Sequence, residues 1–261
     1  MEDYIRSYKS YSKKVVYQFR VGYGGIGDCI KYFMYLLHVC IQQKCRLYYQ
    51  VMNIPLENYL RLVDNAMYIR ENDMTTTVPI NVHGPLVVNE QAYTVCTPFD
   101  LYDAYEEVAY PIYKLFTFSQ AIWYRKNEIF PFHEKYVSIH IRLGDKYLET
   151  DSHFVVVKND ERPFQEEAVY RWIHSHRHEN LVVFCDNHTF KQYLKQKFPY
   201  VHLTTAKVGH TSLFNTTEQH VMDAVTEFYI LSKSERIVSN CVSGFSDMAA
   251  KFNRTPISYF E

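Results

Sequence analysis

The stretch YVSIHIRLGD, residues 136–145, constrains the fold of this 261-residue chain more than any other segment. Its alternation of apolar and polar residues predicts a strand with one apolar face, and a Gly-Asp turn ends it. That face consists of Val137, Ile139 and Ile141. His140 and Arg142 would emerge near the carboxyl end, where open α/β sheets bind ligands, so the stretch predicts an anion-binding site. The alternative is an edge strand whose polar residues face water.

Helical segments alternate with short apolar strands throughout the second half of the chain. The predicted strands are Leu181–Cys185, Val201–Thr205 and Arg236–Ser239, and the predicted helices are Phe164–His176, His188–Phe198, Val221–Leu231 and Gly244–Phe252. This order is typical of a doubly wound parallel sheet.

The first half opens as a strand, a glycine turn and a helix. Val15–Val21 is the predicted strand, GYGGIGD the turn, and Cys29–Gln43 the helix, with Asp28 as its N-cap. A second strand is predicted at Cys45–Val51. The glycines at 22, 24 and 27 fit the spacing of a dinucleotide fingerprint, but no acidic residue ends a clean second strand about twenty residues on, which argues against that motif.

Prolines interrupt the pattern between residues 53 and 98. Short strands are predicted at Val78–Val82, Leu86–Val88 and Tyr93–Cys96, followed by helices at Phe99–Phe118 and Phe118–Phe130.

Bulk composition excludes several classes of protein. The net charge is −1, so no basic surface favours a nucleic-acid partner. The six cysteines form no CxxC pair, which argues for a reduced, intracellular protein without zinc. The first residues lack the apolar region of a signal peptide, and no apolar run is long enough to span a membrane. We therefore expect a cytoplasmic protein, of bacterial or viral origin, or a domain excised from a longer chain.

Several strands of the second half end on polar residues, which would meet at one rim of the sheet. The last such stretch is SNCVSGFSDMAA, where Ser243 and Ser246 accompany the start of a helix. Hydroxyls and free N–H groups at a helix N-terminus bind phosphate oxygens, and Arg142 would supply a bidentate cation for a pyrophosphate. The alternative is that the serines only cap the helix.

Three motifs resemble those of the GDP-fucose-dependent fucosyltransferase superfamily, which includes α1,2-, α1,6- and protein O-fucosyltransferases. HIRLGDK resembles its H-x-R-x-x-D signature, VSGFSDMAA its S-x-F-S-x-x-A element, and GGIGD its amino-terminal G-G-x-G-N-Q opening. FCDNHTFKQYLKQKFP and EFYILSKSERIVSN are similar to the segments between them. The resemblance extends over most of the chain after Val15 and is weakest over residues 52–117.

The resemblance implies an α/β, GT-B-like fold with two Rossmann-like domains and the donor site in the cleft between them. Residues 1–118 would form the acceptor-side domain and residues 119–261 the nucleotide-sugar-binding domain. It implies an inverting transfer of L-fucose from GDP-fucose to a hydroxyl of a glycan or protein, without a metal ion or other cofactor.

The same resemblance implies roles for individual residues. Arg142 would grip the β-phosphate and neutralise the leaving GDP. Asp145 would orient Arg142 or the loop, and Glu227 or Asp186 would accept hydrogen bonds from guanine or ribose. The other expected donor-binding residues are His140, Ser243, Phe245, Ser246, Gly24, Gly25 and Gly27.

Two departures from the family pattern bear on activity. The second arginine of the common H-x-R-R form is Leu143 here, and the asparagine of the amino-terminal motif is Asp28. Asp28 and Glu149 are the candidate general bases, with Asp28 preferred; the alternatives are a helix cap and a solvated loop charge. The competing functions are a GT-B enzyme with another nucleotide-sugar donor and a degenerate relative that binds without turnover, which Leu143 favours.

Overall fold

Helices and strands alternate along the part of the chain that the computed structural model describes, namely residues 2–69, 78–80, 86–88, 92–95, 111–132, 134–149, 160–206, 210–211, 213 and 216–260. The helices are α1 (Glu2–Ser7), α2 (Ile26–Gln43), α3 (Gln120–Ile129), α4 (Glu166–Ser175), α5 (His188–Lys197), α6 (Glu218–Ser232) and α7 (Gly244–Asn253). The strands are β1 (Lys14–Arg20), β2 (Arg46–Met52), β3 (Leu60–Leu62), β4 (Val78–Ile80), β5 (Ala92–Val95), β6 (Phe116–Phe118), β7 (Val137–Ile141), β8 (Leu181–Cys185), β9 (His202–Leu203), β10 (Arg236–Ser239) and β11 (Ile257–Tyr259).

Two parallel sheets organise the described residues. The first has the order β2-β1-β5-β4, and the second has the order β11-β10-β7-β8-β9. A short antiparallel pair joins β3 to β6. The predicted α/β class with Rossmann-like parallel sheets is confirmed, whereas the domain boundary after residue 118 stays a prediction.

The second sheet changes direction at β7. From β7 the chain adds β8 and β9 on one side, and it then returns to add β10 and β11 on the other. The topological switch point therefore lies between β7 and β10, and open α/β sheets bind ligands at the carboxyl ends of the strands beside such a point. The residues that follow these strands, Arg142 and Asn240, flank this crevice.

All five residues of β7 are buried, because helices cover both faces of the second sheet. Ile139 packs on one face in a core shared with Val169 of α4 and Leu194 of α5. On the opposite face the ring of His140 stacks on Phe245 of α7, with ring centroids 5.7 Å apart. The alternation predicted for this strand therefore distinguishes two faces that are both buried. It does not distinguish a buried face from a solvent-exposed one.

Aromatic residues connect the two halves of the chain. Phe118, at the end of β6, lies 5.0 Å from Tyr229 and 4.9 Å from Phe252, measured between ring centroids. Phe118 also contacts Phe228 of α6. The hydrophobic core that contains these rings continues through α2 and β1, so it spans both sheets.

The segments around the glycine turn and the proline-rich region differ from the prediction. Helix α2 begins at Ile26, so the N-cap is Gly25 and not Asp28; the Asp28 carboxylate instead accepts a hydrogen bond from the Gly25 amide at 3.0 Å. Residues 86–88 form no strand. Phe116–Phe118, predicted as helix, pairs with β3, because its apolar rings gain a core contact there.

Other boundaries shift by a few residues, and α1, β3 and β11 were not predicted at all. The predicted helix over residues 99–110 and the predicted strand residues 81, 82 and 96 lie outside the described part of the chain. Among the described helices, none combines the length and the apolar character that a bilayer span requires.

Helix α2 crosses α7 at a contact between two glycines. A methyl group on Gly27 would overlap the carbonyl of Gly244 and lie 2.5 Å from the Phe245 nitrogen. A methyl group on Gly244 would in turn lie 3.2 Å from the Asp28 carboxylate. The helix N-termini can meet this closely only because neither residue carries a side chain.

Replacing Gly27 by alanine should therefore destabilise the protein. We expect a loss of about 1–3 kcal/mol in the free energy of unfolding, since overpacking outweighs the higher helix propensity of alanine. The matched control is Gly25→Ala, because Gly25 has an ordinary φ of −88° and its added methyl group would lie 3.7 Å from His210. Equal denaturant midpoints for the two variants would contradict the close crossing.

Candidate active site

A cavity of about 200 Å³ lies at the switch point of the second sheet, between the ends of β7 and β8 and the N-termini of α2 and α7. It brings together nine of the predicted site residues: Gly25, Gly27, Asp28, His140, Arg142, Asp186, Glu227, Ser243 and Phe245. Ligand pockets commonly measure about 300–1,000 Å³, so this space suits one part of a nucleotide sugar, such as its diphosphate.

Arg142 lies in a cage of carboxylates. Its guanidinium donates hydrogen bonds to Asp186 and Asp145, and to Asp160 at 3.4 Å. Burial alone would lower the pKa of Arg142, but Asp186 and Asp145 outweigh burial and raise it. The arginine is therefore charged and fixed in orientation before any ligand binds.

Asp186 also fixes the turn that follows β7. Its carboxylate accepts hydrogen bonds from the backbone amides of Leu143 at 2.9 Å and Gly144 at 3.0 Å. Gly144 has a φ of +111°, where side chains are strained. Asp145 lies beyond this turn, buried against Arg142 and outside the cavity wall.

His140 is a neutral group at physiological pH. Burial lowers its pKa to about 4, with Asp186 opposing the shift and Arg142 adding to it. Its Nδ1 lies 3.4 Å from the Ser239 hydroxyl. The ring therefore offers a ligand a hydrogen bond and an apolar face, and no counter-charge.

The N-terminus of α7 faces the cavity with the side chain of Ser243. Ser243 is the N-cap residue, yet its side chain makes no capping bond. Ser246 is fully buried, and its hydroxyl lies 3.4 Å from the Ser243 carbonyl. Ser243 is therefore available to a ligand, whereas Ser246 supports the first turn from behind.

The two candidate bases occupy different environments. Asp28 lines the cavity beside Gly244. Glu149 lies outside it, where its carboxylate accepts hydrogen bonds from the amides of His188 at 3.1 Å and Thr189 at 2.8 Å. Partial burial raises the pKa of Glu149, but the bonds from Thr189 and His188 outweigh burial and lower it. Glu149 thus caps the first amides of α5. The geometry favours Asp28 as the general base.

Glu227 forms a buried ion pair at the cavity wall. Its Oε1 accepts hydrogen bonds from Lys191, at 3.1 Å, and from the Thr204 hydroxyl. The side chains of Lys191 and Glu227 are 1% and 4% exposed. Among the described residues no hydrogen bond reaches Oε2, which leaves one carboxylate oxygen for a ligand.

Two polar cavity residues, Arg162 and His210, were missed by the sequence analysis. Neither residue directly follows a predicted strand, so the pattern of polar strand ends does not point to them. Burial lowers the pKa of His210, and the nearby Asp145 opposes this shift. Gly24 lies just before the cavity in a turn, with a φ of +106°.

Within the described ranges, no three His, Cys, Asp or Glu side chains are arranged to hold a metal ion. The expected independence from metal ions stays a prediction.

The buried His140 should make stability depend on pH. Its pKa is lower in the folded state than the ordinary 6.5, so the unfolded chain binds more protons between pH 6.5 and about 4, and stability is lost as the pH falls through this range. Relative to His140→Gln, the free energy of unfolding should drop by about 3 kcal/mol between pH 7 and pH 4. Parallel pH profiles of the two proteins would contradict the buried, neutral ring.

The sequence matches no family model and no curated protein. Solved structures do match. Fucosyltransferase NodZ from Bradyrhizobium has a TM-score of 0.61 at 14% identity, covering 96% of this chain and 95% of its own. POFUT1 in complex with GDP has a TM-score of 0.58 at 13% identity, covering 95% and 98%. Arabidopsis thaliana FUT1 in complex with GDP has a TM-score of 0.54 at 11% identity, covering 99% and 73%.

Identities of this size establish shared architecture. The resemblance first found in three short motifs is thus confirmed at the level of the whole fold, because each match extends over at least 95% of this chain. The chain has the α/β fold of the GDP-fucose fucosyltransferases.

Proposed function

We propose that this protein is an inverting GT-B glycosyltransferase that transfers L-fucose from GDP-fucose to a hydroxyl of a glycan or protein. The observation that carries the proposal is the position of Arg142 and the N-terminus of α7 on one cavity at the switch point. A fixed guanidinium and unpaired N–H groups are complementary to a diphosphate. NodZ and POFUT1, which share the fold, were crystallised with GDP, and NodZ was also soaked with GDP-fucose.

The donor would bind across the end of the second sheet. Arg142 uses three of its five N–H groups on Asp145, Asp160 and Asp186, and the other two have no partner in the described part of the chain and could bind phosphate oxygens. The Ser243 hydroxyl and the first amides of α7 would bind the same phosphates. Oε2 of Glu227 would accept from the guanine N–H groups, at the side of the cavity next to α6.

Catalysis would depend on stabilising the departing GDP. Negative charge develops on the β-phosphate as the glycosidic bond breaks, and a guanidinium that is already oriented stabilises this charge without reorganisation. The acceptor oxygen would bond to the anomeric carbon from the face opposite the departing GDP, which inverts that centre, while Asp28 would take the proton of the acceptor hydroxyl. We propose that no metal ion takes part, and that turnover persists with a chelator present.

A second candidate function is binding of the nucleotide sugar without turnover. Leu143 favours it, because the residue after Arg142 is apolar and belongs to the buried core, so the turn itself supplies no second cation. A different nucleotide-sugar donor would also fit the same diphosphate site.

A thermal-shift screen across GDP, UDP and ADP tests the donor class. We expect GDP to stabilise the protein most, and Arg142→Lys to weaken GDP binding about tenfold or more, because lysine keeps the charge and loses the bidentate geometry. Arg142→Ala should weaken it further, provided that it still unfolds cooperatively. Unchanged GDP affinity in both variants would exclude the diphosphate assignment, and transfer or hydrolysis of GDP-fucose separates the enzyme from the binder.

Separate substitution of the two carboxylates identifies the base. Asp28→Asn should lower kcat by about 10²–10⁴-fold while GDP affinity persists, because asparagine keeps the hydrogen bond to Gly25 but cannot accept the proton. Glu149→Gln should leave kcat unchanged and only weaken the start of α5. A large loss of kcat in Glu149→Gln, with Asp28→Asn active, would reverse the assignment.

A further inference from the structure

Two guanidinium groups line the cavity, Arg142 and Arg162. They share one carboxylate: Oδ1 of Asp160 forms an ion pair with Nε of Arg162 at 2.8 Å, and Oδ2 accepts a hydrogen bond from Arg142 at 3.4 Å. Asp160 therefore holds together two cations that would otherwise repel each other. The N-terminus of α7 lines the same cavity.

The two arginines differ in how much of their hydrogen-bonding capacity is used. Arg142 is bound by three carboxylates, and its side chain is only 14% exposed. Arg162 is 44% exposed, and within the described ranges its one ion pair joins Nε to Asp160. The four N–H groups of its two terminal nitrogens have no hydrogen-bond partner within those ranges and can serve a ligand. Arg162 is thus the less neutralised cation of the cavity.

The backbone around Arg162 is fixed, although its side chain is half exposed. Its amide donates to the Leu143 carbonyl at 2.9 Å. Next to it, the Asn240 side chain donates to the carbonyls of Arg142 at 3.0 Å and Pro163 at 2.8 Å. The end of β7, the end of β10 and the Arg162 segment are therefore tied together, which places the second guanidinium beside the first.

We propose that Arg162 is a second diphosphate-binding cation, supplied by the segment before α4 whose amide bonds the Leu143 carbonyl. A diphosphate carries more negative charge than Arg142 can neutralise while three carboxylates already surround it. Arg162 has free donors that can engage phosphate oxygens while Asp160 keeps its Nε. The inference rests on the proposed function, since it concerns the phosphates of the same donor.

The alternative is that Arg162 forms only a surface ion pair with Asp160. Exposed pairs contribute little to stability, and an arginine of this kind has no preference for phosphorylated ligands. The two interpretations therefore predict different binding affinities. If Arg162 binds phosphate, its removal weakens the binding of phosphorylated ligands only; if it forms only a surface ion pair, its removal has no such selective effect.

The experiment compares the affinities of GDP and guanosine, by calorimetry or competition, in the wild-type protein and in Arg162→Gln. We expect Arg162→Gln to weaken GDP binding at least about tenfold and to leave guanosine binding unchanged, because the lost bonds are charge-assisted contacts to phosphate. Arg162→Lys should show a smaller loss. Arg171→Gln, which removes an exposed cation on α4, is the matched control and should bind GDP like the wild type.

Each result decides the proposal. Equal losses for GDP and guanosine, or a GDP affinity in Arg162→Gln no lower than in Arg171→Gln, would show that Arg162 is not a phosphate ligand. Thermal unfolding of each variant verifies that the fold persists, and if Arg162→Gln does not fold, Arg162→Lys decides by the same comparison.

The outcome is separable from that of the proposed function. If the wild-type protein binds no GDP, the donor assignment itself is wrong. If the wild type binds GDP and Arg142→Lys weakens binding while Arg162→Gln does not, the donor assignment stands and only the second cation is refuted.

Discussion

The meeting of α2 and α7 through Gly27 and Gly244 is the constraint on which the site depends. α2 packs beside the first sheet and α7 beside the second, so their crossing decides how the two sheets face each other. Because both helices begin at this crossing, the partial positive charge of two N-termini is directed at one small volume. The carboxylate of Asp28 lies between them, which offsets part of that charge until a ligand arrives.

Most charged groups at the cavity are held in ion pairs within the protein itself. Three carboxylates surround Arg142, Lys191 neutralises Glu227, and His140 stays uncharged. Buried charges are tolerated only when they are paired, so the charged residues that would bind a ligand form ion pairs with other residues of the protein. Such a site is rigid before binding, and a ligand must exchange contacts with existing partners and not simply occupy empty space.

Much of the second half could be predicted from local patterns. Leu181–Cys185 and Arg236–Ser239 match the structure residue for residue, because buried parallel strands read as short apolar runs between helices. The alternation around His140 likewise placed Arg142 at the strand end. Since polar strand ends of a parallel sheet share one edge, the meeting of Arg142, Asp186 and Ser243 also followed from sequence.

Long-range contacts account for what sequence patterns could not supply. Phe116–Phe118 is a strand because it pairs with β3 and packs on the core. Its local sequence does not distinguish a strand from a helix. Arg162 is held beside the cavity by the hydrogen bond from its amide to the Leu143 carbonyl. The carbonyl of the next residue accepts a hydrogen bond from Asn240, almost eighty positions away in sequence. Asp28 looked like an N-cap from its position before the apolar helix, yet the helix starts earlier because glycines permit the close crossing.

The cluster of Phe118 with Tyr229 and Phe252 limits how this molecule can move. Rotating one sheet away from the other would expose these rings to water, at a cost that grows with the apolar area uncovered. A wide opening between the two sheets therefore carries a high cost in free energy. The two halves of the molecule should move largely as a single body.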